Sequence, residues 1–140
     1  MSGAINDDSH DIEVLVEKAR EAQKLAYAPY SNFKVGASLL TVDGNVFTGS
    51  NVENTTYGLS ICAERVVAAK AVSEGYRDFK VLVVVGDSDE PITPCGACRQ
   101  FLLEFDPKMT VVMVGKEKRK EMTVAELLPH YFLRKEKNNE

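Results

Sequence analysis

The chain has no tryptophan, only two histidines among its 140 residues and only three cysteines. Each shortage removes a class of explanation. A surface for single-stranded nucleic acid needs a basic groove lined by stacking aromatics, and a chain of net charge −4 without tryptophan does not supply one. The densest basic run, GKEKRKE at 115–121, is interleaved with acids and reads as a solvated turn between a strand and a helix. The longest strongly apolar run, VLVVV, is too short to cross a membrane, and the opening MSGAINDDSHD has neither the basic nor the apolar stretch of a secretion signal. An odd number of cysteines without export features argues against a disulfide framework and fits a reducing compartment. The expectation is a cytoplasmic protein with no nucleic-acid and no membrane partner.

With 44% hydrophobic and 27% charged residues, the composition is that of a globular protein large enough to bury its own core. One domain is expected over 1–140, with frayed tails at 1–8 and 134–140. Ile12, Leu15, Val16, Ala19, Ala22 and Leu25 recur at helical spacing, which predicts a helix that ends before Pro29 and starts near Ser9, Asp11 and Glu13. Two β-rich runs around Asp43-Gly44-Asn45 predict an antiparallel hairpin, within which Phe33 counts as a strand residue. SICAERVVAAKAVSEG predicts a helix capped by Ser60 and stopped at Gly75, and FKVLVVVGD and MTVVMVG predict strands covered on both faces. Thr93-Pro94 before CGACRQFLLEF reads as a cap followed by Pro at the first helical position, and Thr123 with Glu126 has capping-box spacing. This order predicts an α/β fold, a three-layer α/β/α sandwich around a mixed sheet.

The cysteines cluster in two motifs. Cys95 and Cys98 lie one helical turn apart at a helix start, and Cys62 sits near the start of the preceding helix, where free N–H groups favour thiolates. Three thiolates are a zinc donor set, and three protein ligands rather than four leave a coordination position open, as catalytic zinc sites do. His10 and His130 lie outside both motifs, so neither gains support from spacing as a fourth ligand. Glu64, two residues beyond Cys62, is placed to carry protons without binding the metal. Three thiolates around Zn²⁺ sum to a net negative charge, and Arg65 and Gln100 are the expected donors of hydrogen bonds to the ligand sulfurs, whereas Arg99 reads as a helix arginine facing solvent.

FKVGA, NVENTTYGLSICAERVVA and TPCGACRQFLLEF, in that order, closely resemble the small, homotetrameric, zinc-dependent cytidine deaminases, a likeness spanning about Tyr30 to Phe132. The resemblance implies one Zn²⁺ per chain on Cys62, Cys95 and Cys98, with Glu64 moving protons. It also implies a small-molecule nucleoside substrate: Phe33 against the pyrimidine, Asn51 and Glu53 on the ribose hydroxyls, and the Ala63 main chain on the base edge. Tyr57 and Phe132 would serve sites shared between subunits of a homotetramer. The segment after Phe132, LRKEKNNE, departs from the family's usual ending. The implied reaction is hydrolytic deamination of cytidine and deoxycytidine in pyrimidine salvage. A thioredoxin-like C-x-x-C would leave Cys62 and Glu64 without a role, and a closed structural zinc site would need a fourth ligand. Polynucleotide editing lacks its basic groove, and deaminases of antibiotics such as blasticidin resemble the zinc motifs without the Asn51–Glu53 pair.

Overall fold

A computed structural model of the chain describes residues 8–134, with side chains from Ile12 onward. The tails expected at 1–8 and 134–140 fall almost wholly outside that span, as does the His10 side chain. The elements run α1 (Asp8–Gln23), β1 (Gly36–Thr41), β2 (Val46–Ser50), a short 3₁₀ turn (Tyr57–Leu59), α2 (Ala63–Ser73), β3 (Phe79–Val85), α3 (Gly96–Leu103), β4 (Thr110–Val114), β5 (Arg119–Thr123) and α4 (Val124–Leu127).

The five strands form one sheet in the order β2-β1-β3-β4-β5. Only β3 and β4 run parallel, and the other three pairings are antiparallel, so the sheet is mixed as expected. Side chains alternate between its two faces, which explains the uninterrupted apolar runs of β3 and β4. Leu82, Val84, Val111 and Met113 join α2, α3 and α4 on one face, while Val83, Val85, Val112 and Val114 meet Leu15 and Ala19 of α1 on the other. These are the three layers. Gly36 lets α1 lie directly on β1, since a Cβ there would fall 2.1 Å from the Ala19 carbonyl oxygen.

The Asp43-Gly44-Asn45 turn forms the expected hairpin, with Gly44 at φ +94°, a conformation that glycine adopts without strain. Thr123 and Glu126 close a reciprocal capping box on α4.

Other expectations are corrected. Helix α1 ends at Gln23, and Leu25 is 81% exposed, because the chain turns there so that Tyr27 can bridge to Val52. Phe33 lies in the loop before β1 rather than in a strand. Ser60 does not cap α2 and Thr93 does not cap α3; the cap positions belong to Cys62 and Cys95. The Ser60 hydroxyl instead accepts from the Asn54 N–H. The charge run at 115–121 is not a simple turn, since Arg119–Thr123 pairs with β4 as an edge strand. Its solvated charges suit an edge that must not recruit a further strand.

Candidate active site

Cys62 and Cys95 share one local geometry. Each is the extended residue before a helix, and neither sulfur accepts a hydrogen bond from its own helix's N–H groups. The sulfurs turn to one another instead. Cys62 Sγ lies 3.9 Å from Cys95 Sγ, Cys95 Sγ lies 3.4 Å from Cys98 Sγ, and all three fall within 4.8 Å of one another. Tetrahedral zinc with Zn–S bonds of about 2.3 Å requires sulfurs about 3.8 Å apart, and the observed spacings bracket that value. Among the described residues, no fourth His, Cys, Asp or Glu atom joins the group, and His130 is exposed and apart from it.

The electrostatics favour a cation. Cys62 is pulled down to about 5 by a hydrogen bond from Cys98 and by the Arg65 guanidinium, while Cys98, which keeps its proton to donate that bond and is buried, is pushed up. Cys62 therefore carries charge readily, while Cys98 keeps its proton until a metal replaces it. Arg65 Nη2 approaches Cys62 Sγ at 4.0 Å and the Ser60 carbonyl at 3.5 Å, and its buried Nε has no partner. A guanidinium held this way offsets negative charge on the sulfurs.

Gln100 does not act as expected: its Nε2 donates to the Phe132 carbonyl oxygen at 2.8 Å rather than to a sulfur. It points along α3 toward the C-terminal segment. Nor is Arg99 a free solvent-facing arginine. Its Nε donates to the Pro94 carbonyl at 2.7 Å and its Nη1 to the Leu127 carbonyl at 2.6 Å, clamping the residue before Cys95 onto α4.

Glu64 is 4% exposed, and its carboxyl is raised to about 7, chiefly by burial and secondarily by the Cys62 charge. It lines a cavity of about 200 Å³ together with Phe33, Asn51, Ala63, Cys62 and Cys95. Val35, Ile92 and Thr93 complete the wall. The Asn51 side chain donates to the Phe33 carbonyl at 3.0 Å and accepts from the Val35 N–H at 2.9 Å, which leaves one amide proton and one lone pair for a ligand. Glu53 faces a neighbouring cleft of about 400 Å³ with Tyr30, Ser31, Tyr57 and Ser60. Its carboxylate accepts from the Tyr30 and Ser31 N–H groups and the Ser31 hydroxyl, which lower its pKa. Tyr57 is 75% exposed and Phe132 69% exposed, and neither lines the cavity over the cysteines.

Sequence reasoning overlooked Ser31, Ile92 and the cavity-facing role of Thr93. Ser31 had a readable signal, because a serine two residues before Phe33 can accept that residue's N–H, and its Oγ does so at 3.0 Å. Ile92 and Thr93 come to the cavity only through tertiary folding.

The cytidine and deoxycytidylate deaminase zinc-binding region matches residues 9–114. A cytidine deaminase of Halalkalibacterium halodurans is 47% identical over 131 residues, covering 92% of this chain and 99% of that protein. The crystal structure of cytidine deaminase from Burkholderia pseudomallei superposes with a TM-score of 0.84 at 48% identity, covering 86% of this chain and 98% of that one. The chain belongs to the cytidine and deoxycytidylate deaminase family. A blasticidin-S deaminase of Bacillus cereus is also similar, at 31% identity over 137 residues, 92% of this chain and 96% of that protein. The deaminase zinc-binding region spans the cysteines, Glu64 and the cavity but stops before β5, α4 and Phe132. In this member of the deaminase family, the donor set fits zinc on three grounds: three soft thiols, tetrahedral spacing, and a guanidinium beside a sulfur with an otherwise orphaned nitrogen.

Proposed function

We propose that the protein deaminates cytidine and deoxycytidine hydrolytically, giving uridine or deoxyuridine and ammonia, within pyrimidine salvage. The observation that carries this reading is the pairing of a three-thiol cluster, without a fourth protein donor among the described residues, with a buried carboxyl on the same small cavity. Cys62, Cys95 and Cys98 would hold a Zn²⁺, which would supply the Lewis acidity that makes water a nucleophile near neutral pH. Glu64 accepts the proton that water gives up on attacking C4 and delivers it to the adjacent ring nitrogen. It then takes the remaining hydroxyl proton to the departing amine, so that water and cytidine become uridine and ammonia in balance. Its burial keeps the carboxyl poised between base and acid.

Arg65 moderates the negative charge of the thiolates. Phe33 offers its ring to the pyrimidine, the Ala63 main chain meets the base edge, and Asn51 and Glu53 take the sugar hydroxyls. Tyr57 and Phe132 complete the site of a neighbouring copy in a homotetramer. Their exposure in the single chain, with that of Leu25 and Leu59, supports such an assembly. No described helix is long and apolar enough to cross a membrane, and a cytoplasmic location fits the free thiols.

Deamination of blasticidin-S is the second reading, favoured by the 31% identical relative. Loss of cytidine absorbance in the ultraviolet, with blasticidin-S in parallel and a zinc assay on parent and Glu64→Ala, separates the two. Cytidine turnover in the parent, lost in a variant that keeps its zinc, is the expected result. Zinc-loaded parent that is inert toward cytidine but active on blasticidin-S would overturn the nucleoside reading.

A further inference from the structure

Away from the cysteines, the last turn of α1 carries a buried polar hub. Arg20 donates from Nη2 to the Gly115 carbonyl at 2.7 Å and from Nη1 to the Gly86 carbonyl at 3.2 Å, joining the ends of the parallel strands β3 and β4. Arg20 Nη1 also reaches Gln23 Oε1 at 3.2 Å. Gln23 is 7% exposed, and its Nε2 donates to the Lys34 carbonyl at 3.0 Å and to Asp87 Oδ1 at 2.9 Å. An apolar residue would seal this helix against the sheet at lower desolvation cost, so the amide calls for another explanation.

Its two partners outside α1 supply one. Lys34 directly follows Phe33, and Asp87 directly follows Gly86. A Cβ on Gly86 would sit 3.2 Å from Phe33 Cζ and 2.9 Å from Ile92 Cγ2, so the Phe33 ring and Ile92 rest on that glycine. One buried amide thus joins the two segments that meet at the cavity's aromatic wall. Three further polar groups of the Phe33 segment are held elsewhere: Phe33 N–H by Ser31, and Phe33 carbonyl and Val35 N–H by Asn51. Gln23 supplies the anchor at Lys34, on the side facing away from the cavity.

We propose that Gln23 is a positioning residue for substrate binding, fixing the Phe33 ring through Lys34 on one side and through Asp87 and Gly86 on the other. The inference rests on the reading that the cavity holds a nucleoside base against Phe33. Gln23 touches no reacting atom, so its loss acts on the Michaelis complex far more than on the proton transfers of Glu64.

The test uses the zinc-loaded full chain and cytidine. Gln23→Glu has no proton to donate to Lys34 or Asp87 and sets two carboxylates against each other. The melting temperature should fall, and KM should rise about tenfold with kcat changed less than about twofold. Adding Asp87→Asn restores a donor opposite the new carboxylate but leaves the Lys34 carbonyl unpaired. The melting temperature then recovers while KM stays high. Should Gln23→Glu fail to fold, Gln23→Met, similar in volume and uncharged, removes the same two donors and should show the same KM shift. KM returning with the melting temperature in the double variant, or KM unmoved in a folded single variant, overturns the assignment and makes Gln23 a stabilising residue only. A parent without cytidine turnover fails at an earlier point and removes the nucleoside reading together with the inference built on it.

Discussion

Glu64→Gln preserves the size of the buried side chain while removing its ionisation, and the consequence for stability can be worked out. In the metal-free protein the carboxyl is raised from its ordinary 4.5 to about 7, mainly by burial. That gap corresponds to ~3 kcal/mol of unfavourable interaction with the charged form, at about 1.4 kcal/mol per pH unit. Below pH 4.5 the group is protonated in folded and unfolded chains alike and costs nothing extra. Between 4.5 and about 7 the folded chain holds a proton that the unfolded chain releases, so stability declines as pH rises. Above about 7 the full deficit remains. Glutamine carries no such dependence. Urea unfolding of zinc-stripped parent and variant, under reductant at several pH values, should show the variant's advantage growing from near zero at pH ~4 to on the order of 3 kcal/mol at pH ~8. Turnover should vanish in the same variant. An advantage that does not change with pH, or that shrinks as pH rises, would refute the claim that this carboxyl is desolvated.

Arg65→Gln should weaken zinc retention about tenfold in a chelator competition, because it removes the cation beside Cys62 Sγ; unchanged zinc affinity would remove its assigned role. Arg99→Met should cost on the order of 2 kcal/mol in urea unfolding and speed zinc loss to chelator, since Arg99 ties the carbonyl that precedes Cys95 to the end of α4. Gly36→Ala should destabilise by more than ~3 kcal/mol in thermal or urea unfolding, because the nearest atoms to the new methyl are α1 backbone that cannot rotate away.

The legible parts of this protein are those encoded locally. Apolar runs made β3 and β4 visible, the Asp-Gly turn made the hairpin visible, and three cysteines with a nearby glutamate outlined the reactive cluster. Cap preferences misplaced two helix starts by two residues each. Serine and threonine are the usual caps, and here the cap positions go to cysteines whose sulfurs face one another instead of the helix. Strand β5 hid because its charges, which keep an edge solvated, look the same in sequence as a loop. The hydrogen bonds that Gln23 and Arg99 donate span from 11 to 64 and from 5 to 28 positions along the chain, and no pattern of nearby residues announces most of them. Gln100 was misassigned for a related reason: adjacency to Cys98 in sequence does not fix the direction in which a helical side chain points.

The sulfurs that meet across the cluster belong to Cys62 and Cys95, 33 positions apart. All of α2 and β3 lies in the arc between them. A link between these sulfurs therefore acts on the disordered chain as well as on the folded one, by removing loop conformations worth roughly 4 kcal/mol, the amount expected for a covalent tether of that span. Refolding from a chain whose thiols are already clasped starts with helix, strand and cleft threaded on a closed ring, whereas refolding of the open chain must find that closure by diffusion.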